Sequence, residues 1–153
     1  MLIIKKILLL VIFSVALFAT ELRVGNSLEF TLEDQFDKKH TLKADTKKLI
    51  FAFSKDMGHL VREYLKTKEI DYLEKRGIFF IADISAMPRI IYKLFAESDM
   101  KKSKYPILLI KDDEISLKYK HNEEKICLVT LDNKKITSIK YLNTQEELKK
   151  EIE

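Results

Sequence analysis

The chain has a single cysteine, Cys127, and only three glycines and two prolines among its 153 residues. With one thiol it can form no internal disulfide, so a packed core must hold the fold without one. Loops that cradle phosphate groups need several glycines within a short window, and the scarcity of glycine excludes them here. No Pro/Gly/Ser-rich linker, low-complexity tract or repeat interrupts the sequence, and we therefore expect no internal domain boundary.

The first nineteen residues differ in composition from the rest of the chain. Lys5 and Lys6 form a short positive region, and the run from Ile7 to Phe18 is almost entirely apolar. This pattern is typical of a secretory signal, and the apolar run is shorter than the ~20 residues that a helix needs to cross a bilayer. We expect cleavage after Ala19 and a periplasmic mature protein. Retention of the segment as a membrane anchor is the alternative.

The remaining residues, 20–153, have the length of one domain and can bury a sizeable core. Loss of residues 1–19 removes two lysines and no acidic residue, so the formal net charge falls from +4 to +2. A chain so close to neutrality gives no electrostatic case for nucleic-acid binding. We also expect no stable membrane insertion once the signal has been removed.

The hydrophobic pattern predicts strands alternating with helices. Strands are expected at residues 28–32, 49–53, 78–84, 107–110, 126–131 and 136–141. A first helix is expected from about Met57 to a stop at Gly77, a second over residues 87–95, and a third after Thr144, which forms a capping box with Glu147. The segment that ends near Tyr119 is ambiguous.

Two of these helices carry an apolar stripe at helical spacing. The first stripe consists of Met57, Leu60, Val61, Tyr64 and Leu65. The second consists of Met87, Ile90, Ile91, Leu94 and Phe95, with Ser85 as the expected N-cap. Both stripes are expected to face the core.

The order of the predicted elements determines the fold class. Strands that alternate with helices imply right-handed crossovers and a parallel portion of the sheet, while the hairpin near the end of the chain adds antiparallel strands. The prediction is an α/β fold with a mixed sheet and helices on both faces.

Several segments resemble the thioredoxin-like superfamily in its peroxiredoxin-like and periplasmic-reductase-like variants. Residues 28–42 are similar to the entry hairpin of that superfamily, residues 51–56 to the strand that delivers the catalytic loop, and residues 128–134 to the late strand and its turn. Residues 97–98, 101–106 and 142–148 also resemble the YtfJ family, which consists of exported thioredoxin-like proteins of poorly defined role. The resemblance implies a thioredoxin-like mixed sheet.

The resemblance also implies a reactive thiol at the start of the first long helix, where the helix dipole lowers a thiol pKa. The corresponding residues, 54–61, contain no cysteine, and the position of a peroxidatic cysteine falls near Val61. Ahead of the late strand, only Lys125 could stand in for the arginine that the superfamily uses there. Cys127 lies inside an apolar run and is expected to be buried.

Lys55, Asp56 and His59 form the candidate binding loop, because a helix N-terminus beside charged side chains is a natural anion site. A solvated loop is the alternative. The other histidines, His40 and His121, are expected at the surface like His59, and no metal site is expected from the three. We also expect no cofactor.

Two charged runs have ordinary explanations. Asp112, Asp113 and Glu114 lack the glycine-containing loop of a calcium site and are expected to form a solvated turn. The run from Lys101 to Lys104 is flanked by acidic residues and gives a weak field for anionic lipid or nucleic acid.

The leading functional hypothesis is a non-enzymatic periplasmic protein that uses a thioredoxin-like scaffold, without redox-active cysteines, to bind another exported protein or peptide. One alternative is an enzyme, either a thiol-dependent reductase or peroxidase using Cys127 or a non-redox activity centred on Lys55, Asp56 and His59. A membrane-tethered accessory protein is a further alternative if the signal is retained.

Overall fold

The computed structural model describes residues 21–153. The predicted signal segment and its cleavage site lie outside these residues. The strands are β1 (Thr31–Asp34), β2 (Lys39–Thr41), β3 (Lys48–Ala52), β4 (Ile78–Asp83), β5 (Leu108–Ile110), β6 (Ile126–Asp132) and β7 (Lys135–Leu142). The helices are α1 (Lys55–Leu65), α2 (Tyr72–Lys75), α3 (Arg89–Ile91), which continues through a π-helical turn (Tyr92–Ala96) into α4 (Glu97–Met100), α5 (Asp113–Tyr119) and α6 (Gln145–Ile152).

The strands form one seven-stranded mixed sheet in the order β2-β1-β5-β4-β3-β6-β7. The three central strands β3, β4 and β5 are parallel, and β1 and β6 join them antiparallel on either side. The buried character of β3 and β4 follows from their near-continuous apolar sequence, which suits strands covered on both faces. The predicted α/β mixed sheet is therefore confirmed.

Helices and chain segments cover both faces of this sheet. On one face α1, α2 and α6 bury a cluster that includes Val61, Leu73 and Leu148. On the other face α5 and the segment before β1 bury a second cluster, to which Tyr119 and Leu28 contribute. None of the helices within residues 21–153 has the length and apolar character needed to cross a bilayer.

The first helix is shorter than the sequence pattern predicts. Its apolar stripe is buried as expected through Val61, Tyr64 and Leu65, but the helix ends at Leu65 and a separate short helix, α2, follows at Tyr72. The intervening residues include the polar run 66–69, which offers no side chain to continue the buried stripe. Prediction of one continuous helix to Gly77 is therefore wrong.

Of the second predicted stripe, Met87 packs against the first cluster, but the other four residues do not face the core. Ile90, Ile91, Leu94 and Phe95 are exposed to 67%, 41%, 64% and 70%, whereas Tyr92 on the same segment is 7% exposed. The segment therefore docks through a different apolar face, made by Tyr92 with Ala96 and Met100, which pack against the first cluster. Nor does Ser85 cap this helix, since its side chain donates to Asp83 Oδ1 at 2.7 Å.

The end of the chain follows its local sequence signals closely. Asn133 and Lys134 join β6 to β7 with positive φ angles of 47° and 67°, as a two-residue hairpin turn requires. Thr144 caps α6 by accepting from the backbone N–H of Glu147 at 3.1 Å. The Glu147 carboxylate reaches back to the N–H of Asn143 at 2.6 Å, one residue earlier than in the standard capping box.

Candidate functional site

The start of α1 lies where β3 delivers the chain to one end of the sheet. Ser54 has extended backbone angles and caps the helix by accepting from the N–H of Met57 at 3.4 Å. Its hydroxyl also donates to the backbone carbonyl of Glu123 at 2.6 Å. This hydroxyl therefore links the start of α1 to the loop that precedes β6, so the two segments form one site.

Lys55, Asp56 and His59 lie on the first turns of α1, and all three are exposed. His59 Nε2 is 3.9 Å from Glu63 Oε1, one turn along the helix, and the His59 side chain is 69% exposed. Within the described residues, no hydrogen bond or ion pair joins Lys55, Asp56 and His59 to one another. The structure thus places the three predicted residues on one helix start and leaves them open to solvent.

No thiol lies at this helix start. Residues 54–61 contain no cysteine, and Val61, which takes the position of a peroxidatic cysteine in the predicted correspondence, has no exposed surface. Its side chain packs in the cluster beneath α1. The helix dipole at this position therefore acts on a serine hydroxyl and on charged side chains, none of which can begin thiol exchange.

The loop opposite α1 is held by its own hydrogen bonds. Lys125, the expected substitute for an arginine, donates from Nζ to Asn143 Oδ1 at 2.5 Å, which ties the loop to the chain entering α6. His121 belongs to the same loop, and both of its ring nitrogens are engaged, Nε2 with the Leu22 carbonyl at 2.8 Å and Nδ1 with the Tyr141 hydroxyl at 3.0 Å. Sequence reasoning gave no sign of these tertiary contacts, because each joins residues distant in the chain.

Cys127 lies in β6 between two other strands. It is opposite Phe51 of β3 and Tyr141 of β7, and it has no exposed surface. Burial raises the pKa of the Cys127 thiol to about 12. At neutral pH only about one thiol in 10⁵ would be ionised at that pKa, so the predicted burial is confirmed and the thiol is poorly suited to nucleophilic chemistry.

His40 corrects the expectation of three surface histidines. Its side chain is only 15% exposed, and its Nε2 lies 2.7 Å from Oδ2 of the buried Asp34. Burial raises the pKa of Asp34, but hydrogen bonds from His40 and from the N–H groups of Phe36 and Lys38 outweigh it, so the net shift is downward. This pair fixes the β1–β2 turn, and within residues 21–153 no group of three or more potential metal ligands comes together.

Two surface cavities lie away from the start of α1. One of about 810 Å³ is bounded by residues 25–32 and by α5, including Glu29, Lys118 and Tyr119. The other, of about 590 Å³, is bounded by β2 and α2, including Lys38, Lys39 and Glu74. Neither of these two cavities is lined by residues 54–61.

Solved structures share this architecture. StoA from Bacillus subtilis superposes with a TM-score of 0.58 at 14% identity, covering 84% of this chain and 99% of that one. A putative protein disulfide isomerase from Bacteroides thetaiotaomicron gives 0.56 at 21% identity, covering 85% and 86%. The chain has a thioredoxin-like fold.

Peroxidoxin BcpB from Mycobacterium tuberculosis adds a peroxiredoxin to these similar structures, with a TM-score of 0.54 at 11% identity and coverage of 85% and 93%. The thioredoxin-like fold thus agrees with the superfamily that the sequence segments resemble. No protein-family model matches the chain, and no curated protein matches it either. At these identities the likeness concerns the fold alone, and the chemistry must be argued from this chain's own residues.

Proposed function

We propose that this protein is an exported, non-catalytic member of the thioredoxin-like superfamily, related to the YtfJ family, and that it binds another exported protein or peptide. The scaffold that other members use to present a thiolate here presents Lys55, Asp56 and His59 at the same helix start. In this proposal these side chains form part of the binding surface, and the signal segment, residues 1–19, delivers the protein to the periplasm.

The observation that carries the proposal is the separation of the only thiol from the helix start. The helix that would activate a cysteine is capped by Ser54, while Cys127 lies in β6, between β3 and β7, without exposed surface. Thiol exchange requires a thiolate that can reach the substrate sulfur. Burial both suppresses the thiolate and blocks its approach, so a reductase or peroxidase mechanism through Cys127 has no support in the geometry.

Thiol labelling of the native protein tests this argument. Cys127 is expected to react with a chromogenic disulfide only after denaturation. A matched control is the double variant Ser54→Cys, Cys127→Ala, whose new thiol sits at the helix start and should be labelled rapidly in the native state. Rapid labelling of native Cys127 would contradict the proposal.

Activity assays complete the test. The purified protein should show no turnover in insulin reduction or in thiol-dependent peroxide consumption, with or without Cys127→Ser. Turnover that disappears in Cys127→Ser would instead establish the enzymatic alternative.

The binding surface is tested by capture from the native envelope. The wild-type protein and the double variant Lys55→Ala, His59→Ala are used as baits, with Lys149→Ala as a control on exposed helix surface far along the chain. Because the replaced side chains are exposed, the variants should unfold at the same urea concentration as the wild type. Loss of a specific partner in the double variant alone supports the proposal, and equal capture by all three baits refutes this placement of the site.

Export is tested separately by determining the N-terminal residue of the protein purified from cells. A chain that begins at Thr20 supports cleavage after Ala19. A chain that retains residues 1–19 in the membrane fraction would establish the tethered alternative.

A further inference from the structure

The segment from Arg89 to Met100 exposes an unusual amount of apolar surface. Ile90, Leu94 and Phe95 are exposed to 67%, 64% and 70%, and Ile91 to 41%. These four residues and the exposed Arg89 and Lys93 together form the 89–95 surface. Contiguous apolar patches on a monomer mark interaction sites more often than isolated apolar residues do.

The apolar side chains are exposed because of the way the segment packs on the rest of the domain. Tyr92 is buried, and Ala96 and Met100 pack partly against the core beneath it, so the segment is anchored through one face. The four apolar side chains lie on the part of the helix that this anchoring turns outward. Packing of the segment against the domain therefore does not require them.

The segment from Arg89 to Met100 has two basic and two acidic residues, and the positive charge of this region comes from the lysines that directly follow it. Residues 89–104 contain five basic and two acidic residues, a net charge of +3, whereas the whole of residues 21–153 has a net charge of +2. The two acidic side chains are already paired, Glu97 with Lys101 at 3.0 Å and Asp99 with Arg62 at 2.9 Å. Arg89 and Lys93 form no ion pair with any residue in the described part of the chain.

We propose that the 89–95 surface docks on an anionic phospholipid bilayer. The four apolar side chains enter the boundary between headgroups and acyl chains, while Arg89 and Lys93 contact the headgroup phosphates. An amphipathic helix with exposed apolar residues and basic neighbours binds a bilayer in this way, parallel to its surface and without spanning it. The basic residues add electrostatic attraction that depends on the anionic lipid.

Two other occupants fit the observations less well. A second copy of the chain related by a twofold axis would bring the Arg89 and Lys93 side chains of the two copies together, and like charges repel. A peptide partner is usually held in a groove or along a sheet edge, but the 89–95 surface is a protruding helix face, and the two cavities described above are lined by other residues. A bilayer needs no concavity.

This proposal goes beyond the proposed function, because it concerns a surface distinct from the start of α1 and holds for any partner bound there. The proposal also gives the run Lys101–Lys104 a role in binding the bilayer. That run alone predicts only a weak field, but it follows directly after a helical segment with exposed apolar residues, and the two features reinforce each other at a bilayer.

The chain has no tryptophan, so a single introduced tryptophan reports on one position. The variant Phe95→Trp is mixed with vesicles of phosphatidylglycerol and phosphatidylcholine, and separately with pure phosphatidylcholine vesicles. The matched control is Leu117→Trp, at a residue with similar exposure, 78% against 70% for Phe95, on α5 at the opposite face of the sheet.

The tryptophan at 95 should shift its emission to the blue and be quenched by brominated acyl chains in anionic vesicles only, while the control at 117 should not respond. Because the signal is local, a retained N-terminal segment does not produce it. In the Phe95→Trp background, Arg89→Gln and Lys93→Gln should each weaken the apparent vesicle affinity by about fivefold at low salt, and Lys43→Gln, an exposed lysine elsewhere, should leave it unchanged.

Three results would overturn the proposal. The first is no change at position 95 with anionic vesicles. The second is a blue shift without lipid that grows with protein concentration, which would assign the surface to a second copy. The third is a shift caused by soluble envelope proteins but not by vesicles, which would assign it to a protein partner.

Discussion

The buried thiol of Cys127 gives a prediction that can be calculated from the structure. Burial raises its pKa from 9.0 to about 12, so the folded protein keeps the thiol protonated at pH values where the unfolded chain releases the proton. The contribution of this group to stability is therefore fully present below pH 9 and is lost as the pH rises from 9 towards 12. At pH 10.5 the loss amounts to about 2 kcal/mol, since each pKa unit is worth about 1.4 kcal/mol.

Other groups, chiefly lysines and tyrosines, titrate over the same range, so the prediction concerns a difference. The variant Cys127→Ala removes the thiol and leaves a small cavity that costs about 1 kcal/mol at neutral pH. The wild type should lose its stability advantage over this variant between pH 8 and 10.5, and at pH 10.5 the variant should be the more stable of the two.

The measurement is urea unfolding of both proteins at pH 8 and pH 10.5 in the presence of a phosphine reductant, which prevents disulfide formation by unfolded chains. The free energy of unfolding is compared at each pH. A difference between the two proteins that stays constant over this range would mean that the thiol ionises in the folded state as it does in water. That result would refute both the burial argument and the case against thiol chemistry.

Three further predictions concern stability, each measured by urea unfolding. Asp34→Asn should lower the free energy of unfolding by about 1–3 kcal/mol near pH 7, because the buried carboxylate accepts three hydrogen bonds. Since the pKa of Asp34 is lowered in the folded state, this loss should shrink as the pH falls below about 4. A loss that does not depend on pH would contradict the prediction. Gly77→Ala should destabilise by about 1–2 kcal/mol, because Gly77 has φ +64° and an added Cβ would lie 3.2 Å from the Asp45 carbonyl; an unchanged midpoint would show that the turn adjusts freely. Lys134→Gly should stabilise the protein by about 0.5–1 kcal/mol, because Lys134 has φ 67° in the hairpin turn and glycine adopts a positive φ without strain. A loss of stability would contradict this and would show that the exposed ion pair between Lys134 and Glu29 matters more.

Local signals predicted most of the strands and the cap of α6. The apolar run 49–53 predicted β3, the capping box predicted the start of α6, and the hairpin predicted near the end of the chain is formed by β6 and β7. These features depend on a few neighbouring residues, so the sequence contains most of the information. The burial of Cys127 was predictable for the same reason, because its immediate neighbours in the chain are apolar.

Features that depend on which surfaces meet could not be predicted in this way. The segment after β4 has apolar residues on two faces, and periodicity alone does not decide whether Tyr92 or Leu94 turns inward. The three-dimensional shape beneath the segment decides it, and Tyr92 is the residue that is buried. Burial of His40 was likewise missed, because its partner Asp34 comes close only when the β1–β2 turn has formed.

The candidate site shows both situations. The position of Lys55, Asp56 and His59 at a helix start followed from the pattern, but the hydrogen bond from Ser54 to the Glu123 carbonyl joins segments 69 residues apart. No local signal marks such a contact. The sequence therefore located the helix start and left open which loop it faces.

The place of β6 between β3 and β7 affects the order of events during folding. Cys127 is covered by β3, which comes long before it in the chain, and by β7, which comes after it. Until β6 has paired with β3 and β7, the sulfur remains accessible to any oxidant around the nascent chain. Pairing of strands that are so distant in the chain is slow. The time that the chain takes to complete its sheet therefore sets the interval in which the Cys127 thiols of two molecules can form an intermolecular disulfide.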